Sequence, residues 1–179
     1  MIKKLLSLSL VFIATSCFNN KIKEIKDLNF DELKIDKNIS QVNSNFLEGI
    51  NPQDFEEFLI KKNFKKKKKE SSGSIKEYDF TELEDKYRIV IDANEKVKKI
   101  EFFSYSEINS LEKATLFFNI ASKISFPQID TVRIKKWTEN NMSSISKKSS
   151  RATILSNIHY IIEQINIGEF KLTIKKYSS

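Results

Sequence analysis

The sequence predicts an α+β domain, in which an antiparallel β-sheet of about four strands carries two or three helices packed on one face. Apolar residues recur with a period of two over residues 75–105 and again over 169–177, as in strands that bury one face. They recur at spacings of three and four over 52–62 and 110–124, as on the buried side of a helix. A sheet with one apolar face needs a covering layer, and these helices supply it.

The first sixteen residues have the pattern of a secretion signal. A lysine pair precedes an apolar core, residues 5–14, which is shorter than the roughly 20 apolar residues of a spanning helix. Two small polar residues then precede Cys17, the only cysteine of the chain, so no internal disulfide is possible. We expect a signal peptide at 1–16 that is removed on export, with a retained membrane anchor as the alternative.

The segment Ala14-Thr15-Ser16-Cys17 resembles the lipobox of bacterial lipoproteins, with Ala14 where leucine is more common. Relaxed boxes of this kind are similar to those of spirochaetal, Borrelia-like lipoproteins, and a chain rich in Lys and Ile with 3 Gly and 2 Pro fits such a source. The resemblance implies that Cys17 carries diacylglycerol and acyl chains such as palmitate. Each buried methylene contributes about 0.8 kcal/mol, and two chains suffice for stable attachment. We expect no other cofactor and no metal.

Residues 17–42 are predicted to form a lipidated tether that lifts the domain off the membrane. Charged residues separate isolated Ile and Leu there, with only a weak helical period, which favours a flexible or intermittently helical spacer. The alternative is that Leu28, Leu33 and Ile35 pack onto the domain. A single globular domain is then expected over 43–179.

The first predicted helix begins at Asn51 and runs to about Lys62. Asn51 is a good N-cap, Pro52 suits the first helical position, and acidic residues in the first turn complement the helix dipole. Asn63 is a plausible stop. The expected buried stripe consists of Phe55, Phe58 and Leu59.

A run of lysines follows and is the candidate binding site. Like charges at this density repel each other, so a solvated loop or helix end is expected. The functional interpretation is a site for phospholipid head groups or sulfated glycans, and the alternative is a solubilising run. The predicted anionic-ligand residues are Lys61, Lys62, Lys65, Lys66, Lys67, Lys68 and Lys69.

Three strands are predicted from Ile75 to Tyr105, joined by turns at 83–86 and 93–96. One face carries alternating apolar residues toward a core. Val90, Phe103 and Tyr105 fall on the opposite face, which suggests that this second face is partly covered.

The second half of the chain is predicted to add a helix and a final strand. Ser110 is the candidate N-cap of a helix that ends before Pro127. Residues 131–137 fit either a fourth strand or the start of a short helix. Residues 139–150 are predicted to form a polar loop. Residues 151–165 have isoleucines that fit helix or strand, and helix is favoured. Gly168 ends this element, and 169–177 form a closing strand with a basic outer face.

The chemistry of the chain argues against catalysis. His159 is the only histidine and has no neighbouring nucleophile, so a satisfied, partly buried role is expected. Neither the ligands for zinc nor a glycine-rich phosphate loop is present in the sequence. Glycosidase chemistry with two carboxylates stays open, but we do not expect an enzyme.

Two non-enzymatic functions remain. The first is an outer-surface lipoprotein that binds an anionic host glycan or protein through the lysine run. The second is a periplasm-facing subunit of an envelope assembly or transport complex, with Phe103, Tyr105 and Trp137 in the contact. Removal of the signal peptide lowers the formal charge from +7 to +5, which is not enough to indicate nucleic acid. Membrane lipid is the partner expected in both cases.

Overall fold

The computed structural model describes residues 21–39, 44–67, 73–145 and 149–177. The predicted signal peptide, Cys17, Lys68 and Lys69 lie outside these described residues. The α+β class is confirmed, although the sheet has seven strands where about four were expected. The helices are α1 Pro52–Lys61, α2 Ser110–Ala121 and α3 Thr131–Met142. The strands are β1 Lys65–Lys66, β2 Ile75–Glu82, β3 Asp85–Ala93, β4 Val97–Tyr105, β5 Ser150–Leu155, β6 Ile158–Asn166 and β7 Glu169–Lys176.

All neighbouring strands are antiparallel, in the order β1-β2-β3-β4-β7-β6-β5. The predicted meander is β2-β3-β4, and a second meander, β5-β6-β7, returns from the other edge to pair β7 with β4. The helices α2 and α3 lie between the two meanders in sequence and cover one face of the sheet. Phe117 of α2 contacts Phe102 of β4 edge to face, with ring centroids 5.7 Å apart.

The first helix is confirmed together with its caps. The Asn51 side chain accepts hydrogen bonds from the backbone N–H groups of Gln53 at 2.8 Å and Asp54 at 3.4 Å. Asn63 follows the C-cap with a left-handed φ of 75°, as expected of a helix stop. The predicted stripe of Phe55, Phe58 and Leu59 is buried.

The N-cap residue of the second helix lies one position before the predicted one. Asn109, with a left-handed φ of 55°, occupies the N-cap position, and Ser110 is the first helical residue. The apolar residues at spacings of three and four that are buried are Ala114, Phe117, Phe118 and Ala121, and Ile124 is buried beyond the helix end. Leu111 is an exception, because its side chain is exposed.

Residues 131–142 form a helix, so the short-helix alternative is the one observed. The Asp130 side chain caps it by accepting from the N–H groups of Val132 at 3.0 Å and Arg133 at 3.2 Å. The predicted loop over 139–150 is therefore wrong at its beginning, because the helix continues to Met142, which is fully buried. It is also wrong at its last residue, Ser150, which begins β5.

The helix favoured over 151–165 is wrong, because this region is the β5–β6 hairpin. Ser156 and Asn157 have φ of 46° and 63°, the left-handed pair that matches a tight hairpin turn to strand twist. Beyond the turn, Ile158, Tyr160 and Ile162 are buried with a period of two. β-Branched isoleucines fit this pleated surface well. The closing strand β7 is confirmed.

The described part of the expected tether is not a free spacer. Residues 21–39 run along the domain through two 3₁₀ turns, Ile25–Asp27 and Phe30–Glu32. Their apolar side chains belong to the main core, with Leu28 and Leu33 buried and Ile35 packed against it. The spacer interpretation is thus wrong for 21–39, and the packed alternative holds. Among the described residues, no helix is long and apolar enough to cross a membrane.

Candidate binding site on the open face of the sheet

The sheet has a helix-covered face and an opposite face, which we call the open face. Ile89, Phe102 and Leu172 form one row on the covered face and are buried. The adjacent residues along each strand point the other way. The open face of the four central strands carries Glu77, Asp79 and Thr81 on β2, Lys86, Arg88 and Val90 on β3, Glu101, Phe103 and Tyr105 on β4, and Glu169, Lys171 and Thr173 on β7.

Strand register brings charged and aromatic side chains into one row across the open face. Asp79 is paired with Arg88, Arg88 with Phe103, and Phe103 with Lys171. The Arg88 Nε lies 2.9 Å from Asp79 Oδ1, and the Lys171 Nζ lies 2.8 Å from Glu163 Oε2. The Phe103 ring is therefore flanked by two cations, and each of them is ion-paired with a carboxylate.

A shallow cavity of about 510 Å³ lies on this face. Its cations are Lys67, Lys86 and Arg88, and the partly exposed rings of Phe103 and Tyr105 also line it. The Lys86 Nζ lies 5.7 Å from the centre of the Tyr105 ring, within the range of a cation–π contact. The full lining is Lys67, Asp79, Phe80, Thr81, Lys86, Tyr87, Arg88, Phe103, Tyr105 and Glu169.

Acidic groups shape the electrostatics of the cavity, whose lining includes Asp79 and Glu169. Asp79 bridges Lys67 and Arg88, each at 2.9 Å, so it holds both cations in place. Outside the rim, the Glu107 carboxylate raises the pKa of Tyr105 and accepts a hydrogen bond from its hydroxyl at 3.3 Å. Tyr105 thus remains a protonated phenol at neutral pH, with its ring beside the cavity.

The lysine run does not form one surface. Lys65 pairs in register with Asp79, and Lys67 lines the cavity, so both belong to the open face. Lys66 pairs in register with buried Tyr78 and makes an ion pair with Glu56 of α1, on the covered side. The run is thus divided by the alternation of an edge strand, β1, where the sequence indicated a loop.

The other described lysines of the run lie at the end of α1. Lys61 is exposed, whereas the Lys62 side chain is buried and its Nζ lies 2.7 Å from both carboxylate oxygens of Glu32. Glu56 also binds Lys76 at 3.0 Å. Burial alone would raise the pKa of Glu56, but its hydrogen bonds to Lys66 and Lys76 outweigh that effect and lower it. Lys62 and Lys66 are therefore committed to contacts within the fold.

The three aromatic residues considered for a protein contact do not share a surface. Phe103 and Tyr105 lie on the open face. Trp137 lies on α3 and packs against the core on the covered side. A contact that uses all three side chains at once is incompatible with this arrangement.

His159 is partly buried on β6, and its ring meets Tyr177 edge to face at 5.9 Å. Burial, with the nearby charge of Lys175, lowers its pKa, which favours a neutral imidazole at pH 7. Within the described ranges, there is no group of three or more His, Cys, Asp or Glu side chains placed to hold a metal ion.

Comparison with protein-family models, with curated proteins and with solved structures finds no match to this chain. The interpretation of the site therefore depends on its geometry. Sequence reasoning missed Lys86, Arg88 and Glu169 as members of the cavity. The available signal was their position on the same strand face as Phe103 and Tyr105, but the strand register was needed to bring them together.

Proposed function

We propose that this protein is an exported, lipid-anchored module at the outer surface of the cell, which binds an anionic glycan on the open face without catalysing a reaction. The observation that carries this proposal is the cavity in which Lys67, Lys86 and Arg88 lie around two partly exposed aromatic rings, those of Phe103 and Tyr105. Sugar rings present C–H groups that pack against aromatic faces, and sulfate or carboxylate groups accept hydrogen bonds from Lys and Arg.

The arrangement of the cations favours recognition by shape over simple charge attraction. Asp79 fixes Lys67 and Arg88 before a ligand arrives, which reduces the side-chain entropy lost on binding. A guanidinium held in this way offers planar, bidentate donors to a sulfate or carboxylate. Lys65, exposed on the same face, extends the basic surface at the sheet edge. The proposed site therefore retains Lys65 and Lys67 from the lysine run and adds residues of β3 and β4.

The glycan proposal predicts that a double variant, Lys67→Ser with Arg88→Gln, weakens heparin binding by at least tenfold. Both side chains donate to the anionic groups in the proposed complex, and each charge-assisted hydrogen bond contributes about 1.5–3 kcal/mol. Binding is measured by titration of the purified soluble domain with a heparin oligosaccharide at 50 and 150 mM salt. The affinity of the unaltered protein is expected to fall with salt, because screening weakens exposed charges.

The matched control is the double variant Arg133→Gln with Lys136→Ser. It removes the same two residue types from the exposed surface of α3, on the covered side of the sheet. We expect it to bind heparin as the unaltered protein does. An equal loss in both double variants would mean that heparin senses only net charge, and the open-face site would then be abandoned.

The anchor is a separate prediction. Cys17→Ser is expected to move the protein from the detergent phase to the aqueous phase in a two-phase separation, because the sulfur that would carry diacylglycerol is replaced. Loss of two or more acyl chains removes essentially all stable membrane attachment. Incorporation of radiolabelled palmitate into the unaltered protein, and not into the variant, is the second readout. Persistent detergent-phase partitioning of the variant contradicts the lipobox assignment.

A periplasm-facing accessory subunit is the second candidate. The partly exposed rings of Phe103 and Tyr105 favour it, since aromatic side chains often anchor protein contacts. Protease treatment of intact cells separates the two candidates. Digestion of this chain, while a periplasmic control protein survives, supports the surface location. Protection until the envelope is broken supports the periplasmic location, and crosslinking at Phe103 then identifies the partner.

A further inference from the structure

Three large apolar side chains are almost fully exposed at one end of the sheet. Leu83 is 94% exposed, Ile167 78% and Ile108 70%. They lie in the β2–β3 turn, the β6–β7 turn and the connection from β4 to α2. Pairing of Glu82 with Asp85, Lys86 with Tyr105, and Tyr105 with Glu169 puts these three connections at the same end. We call Leu83, Ile108 and Ile167 the apolar tip.

The segments that carry the tip are tied together. The Ser106 N–H donates to the Gly168 carbonyl at 3.1 Å, which joins the Ile108 and Ile167 connections. The Lys113 Nζ lies 2.7 Å from Asp85 Oδ2, which joins α2 to the start of β3. Burial alone would raise the pKa of Asp85, but hydrogen bonds with Lys113 and Ser106 outweigh it and lower the pKa. The tip is thus a fixed surface.

Leu83 sits in a conformation that does not suit it. Its φ is 53°, in the left-handed region where glycine and asparagine are favoured and a bulky residue is unusual. Its side chain is nearly all in solvent, so packing within the described part of the fold does not account for leucine at this turn. An unusual backbone at an exposed apolar residue is a reason to look for an outside contact.

The chain enters the domain beside the tip. The Ile25 N–H donates to Glu82 Oε2 at 2.8 Å, and Glu82 precedes Leu83. Cys17 stands eight residues before Ile25, a stretch that spans at most about 29 Å at 3.3–3.6 Å per residue. An acylated Cys17 would therefore hold this end of the sheet close to the bilayer.

We propose that the apolar tip rests on the bilayer in which Cys17 is anchored, so that the domain stands on the membrane in one orientation. This inference rests on the lipid anchor of the proposed function. Leu83, Ile108 and Ile167 enter the interfacial region, where apolar side chains gain free energy by leaving water. More acidic than basic groups border the tip. Because these acids would be repelled by anionic lipids, we expect the tip to contact a zwitterionic membrane surface. The bordering acids are Glu24, Glu82, Glu84, Asp85, Glu107, Glu112 and Glu169, and the bordering cations are Lys26, Lys86 and Lys113.

For Lys67, the orientation favours one of the two ligands considered for the lysine run. β2 extends from Ile75 to Glu82, and Lys67 pairs with its Glu77 through the Lys67 N–H. At about 3.3 Å per residue, Lys67 stands roughly 17 Å farther from the membrane than Glu82. Lys67 then lies away from the head groups of the anchoring leaflet, and an external glycan is the ligand within its reach, whereas Lys86 of the same face borders the tip.

The test places single tryptophans at opposite ends of the lipidated full-length protein. In a Trp137→Phe background, the variant Leu83→Trp marks the tip and Asn94→Trp marks the β3–β4 turn at the far end. Both are incorporated into phosphatidylcholine vesicles with and without brominated acyl chains. We expect at least twofold quenching of the tryptophan at position 83 and none at position 94. Adding 30% phosphatidylglycerol should reduce the quenching at position 83, because of the acidic border.

Flotation with the vesicles is scored for every sample and keeps two failures apart. If the protein floats but the tryptophans at positions 83 and 94 are quenched equally, or not at all, the proposed orientation is wrong and the lipid anchor is still supported. Protein that does not float overturns the anchor and the orientation with it. A photocrosslinker at position 83 that attaches to another protein in cells, with no quenching at 83 in vesicles, assigns the tip to a protein partner and overturns the bilayer contact.

Discussion

Replacing Phe30 by alanine is expected to lower the free energy of unfolding by about 3–5 kcal/mol, the range for a large aromatic side chain removed from a core. The Phe30 ring stacks on Phe55 at 6.0 Å, contacts Phe58 at 5.3 Å and meets Phe102 edge to face at 5.8 Å. It joins the N-terminal segment to α1 and to the central strand β4. Its loss leaves a cavity where these three elements meet.

The measurement is equilibrium urea denaturation followed by circular dichroism, with Lys34→Ala as the control on the same segment. Lys34 is exposed, and such substitutions change stability by about 0.5 kcal/mol or less. A chain that begins at residue 44 tests the same contacts more severely, and we expect it to lack a cooperative transition. Equal stability of the Phe30→Ala and Lys34→Ala variants would restore the spacer interpretation of the N-terminal segment.

The N-terminal segment shows why its packing is hard to predict. Ile25, Leu28, Phe30 and Leu33 are buried, but their spacings of three, two and three match neither a helix nor a strand. Ile25 and Phe30 begin the two 3₁₀ turns, and the positions between the apolar residues hold exposed charged residues, with Asn29 as the exception. Each apolar residue contacts a surface formed by distant parts of the chain, so the local pattern carries little of the signal.

Elements defined by neighbouring residues were predicted well. The Asn51 cap of α1 and the alternation of β2, β3, β4 and β7 depend on contacts within a few positions. The helix prediction over the β5–β6 hairpin was wrong because its isoleucines fit both the helical and the strand period. The turn at Ser156-Asn157 is the feature that makes this region a hairpin. Pairing with β7 also stabilises β6 as a strand, and the sequence does not reveal this pairing.

The candidate site was predicted only in part, for a related reason. The lysine run was recognised by composition, but its division between the two faces follows from the pairing of Lys65 with Asp79 and Lys66 with Tyr78. Arg88 and Phe103 are fifteen positions apart and meet only through strand register. Binding residues on neighbouring strands are therefore visible as candidates in the sequence, whereas their grouping is a property of the fold.

Gly168→Ala is expected to destabilise the domain by about 2–5 kcal/mol, combining roughly 1–2 kcal/mol for a left-handed backbone with about 1–3 kcal/mol for overpacking. Gly168 has a φ of 75°, and a Cβ there would lie 2.6 Å from the Ser106 carbonyl oxygen. That neighbour is backbone, so relief requires the turn to move. Movement would also weaken the hydrogen bond from the Ser106 N–H to the Gly168 carbonyl.

The matched control is Gly73→Ala, because no atom of the described residues lies within 4 Å of a Cβ at that position. Its effect should stay within about 0.5 kcal/mol. Urea denaturation gives the two stabilities, and amide hydrogen exchange at Ser106 reports the turn directly. Faster exchange at Ser106 in Gly168→Ala, with unchanged exchange in Gly73→Ala, links the loss of stability to this contact. Equal stability of the two variants would mean that the β6–β7 turn relaxes freely, and a turn that loose would not hold Ile108 and Ile167 together as one fixed surface.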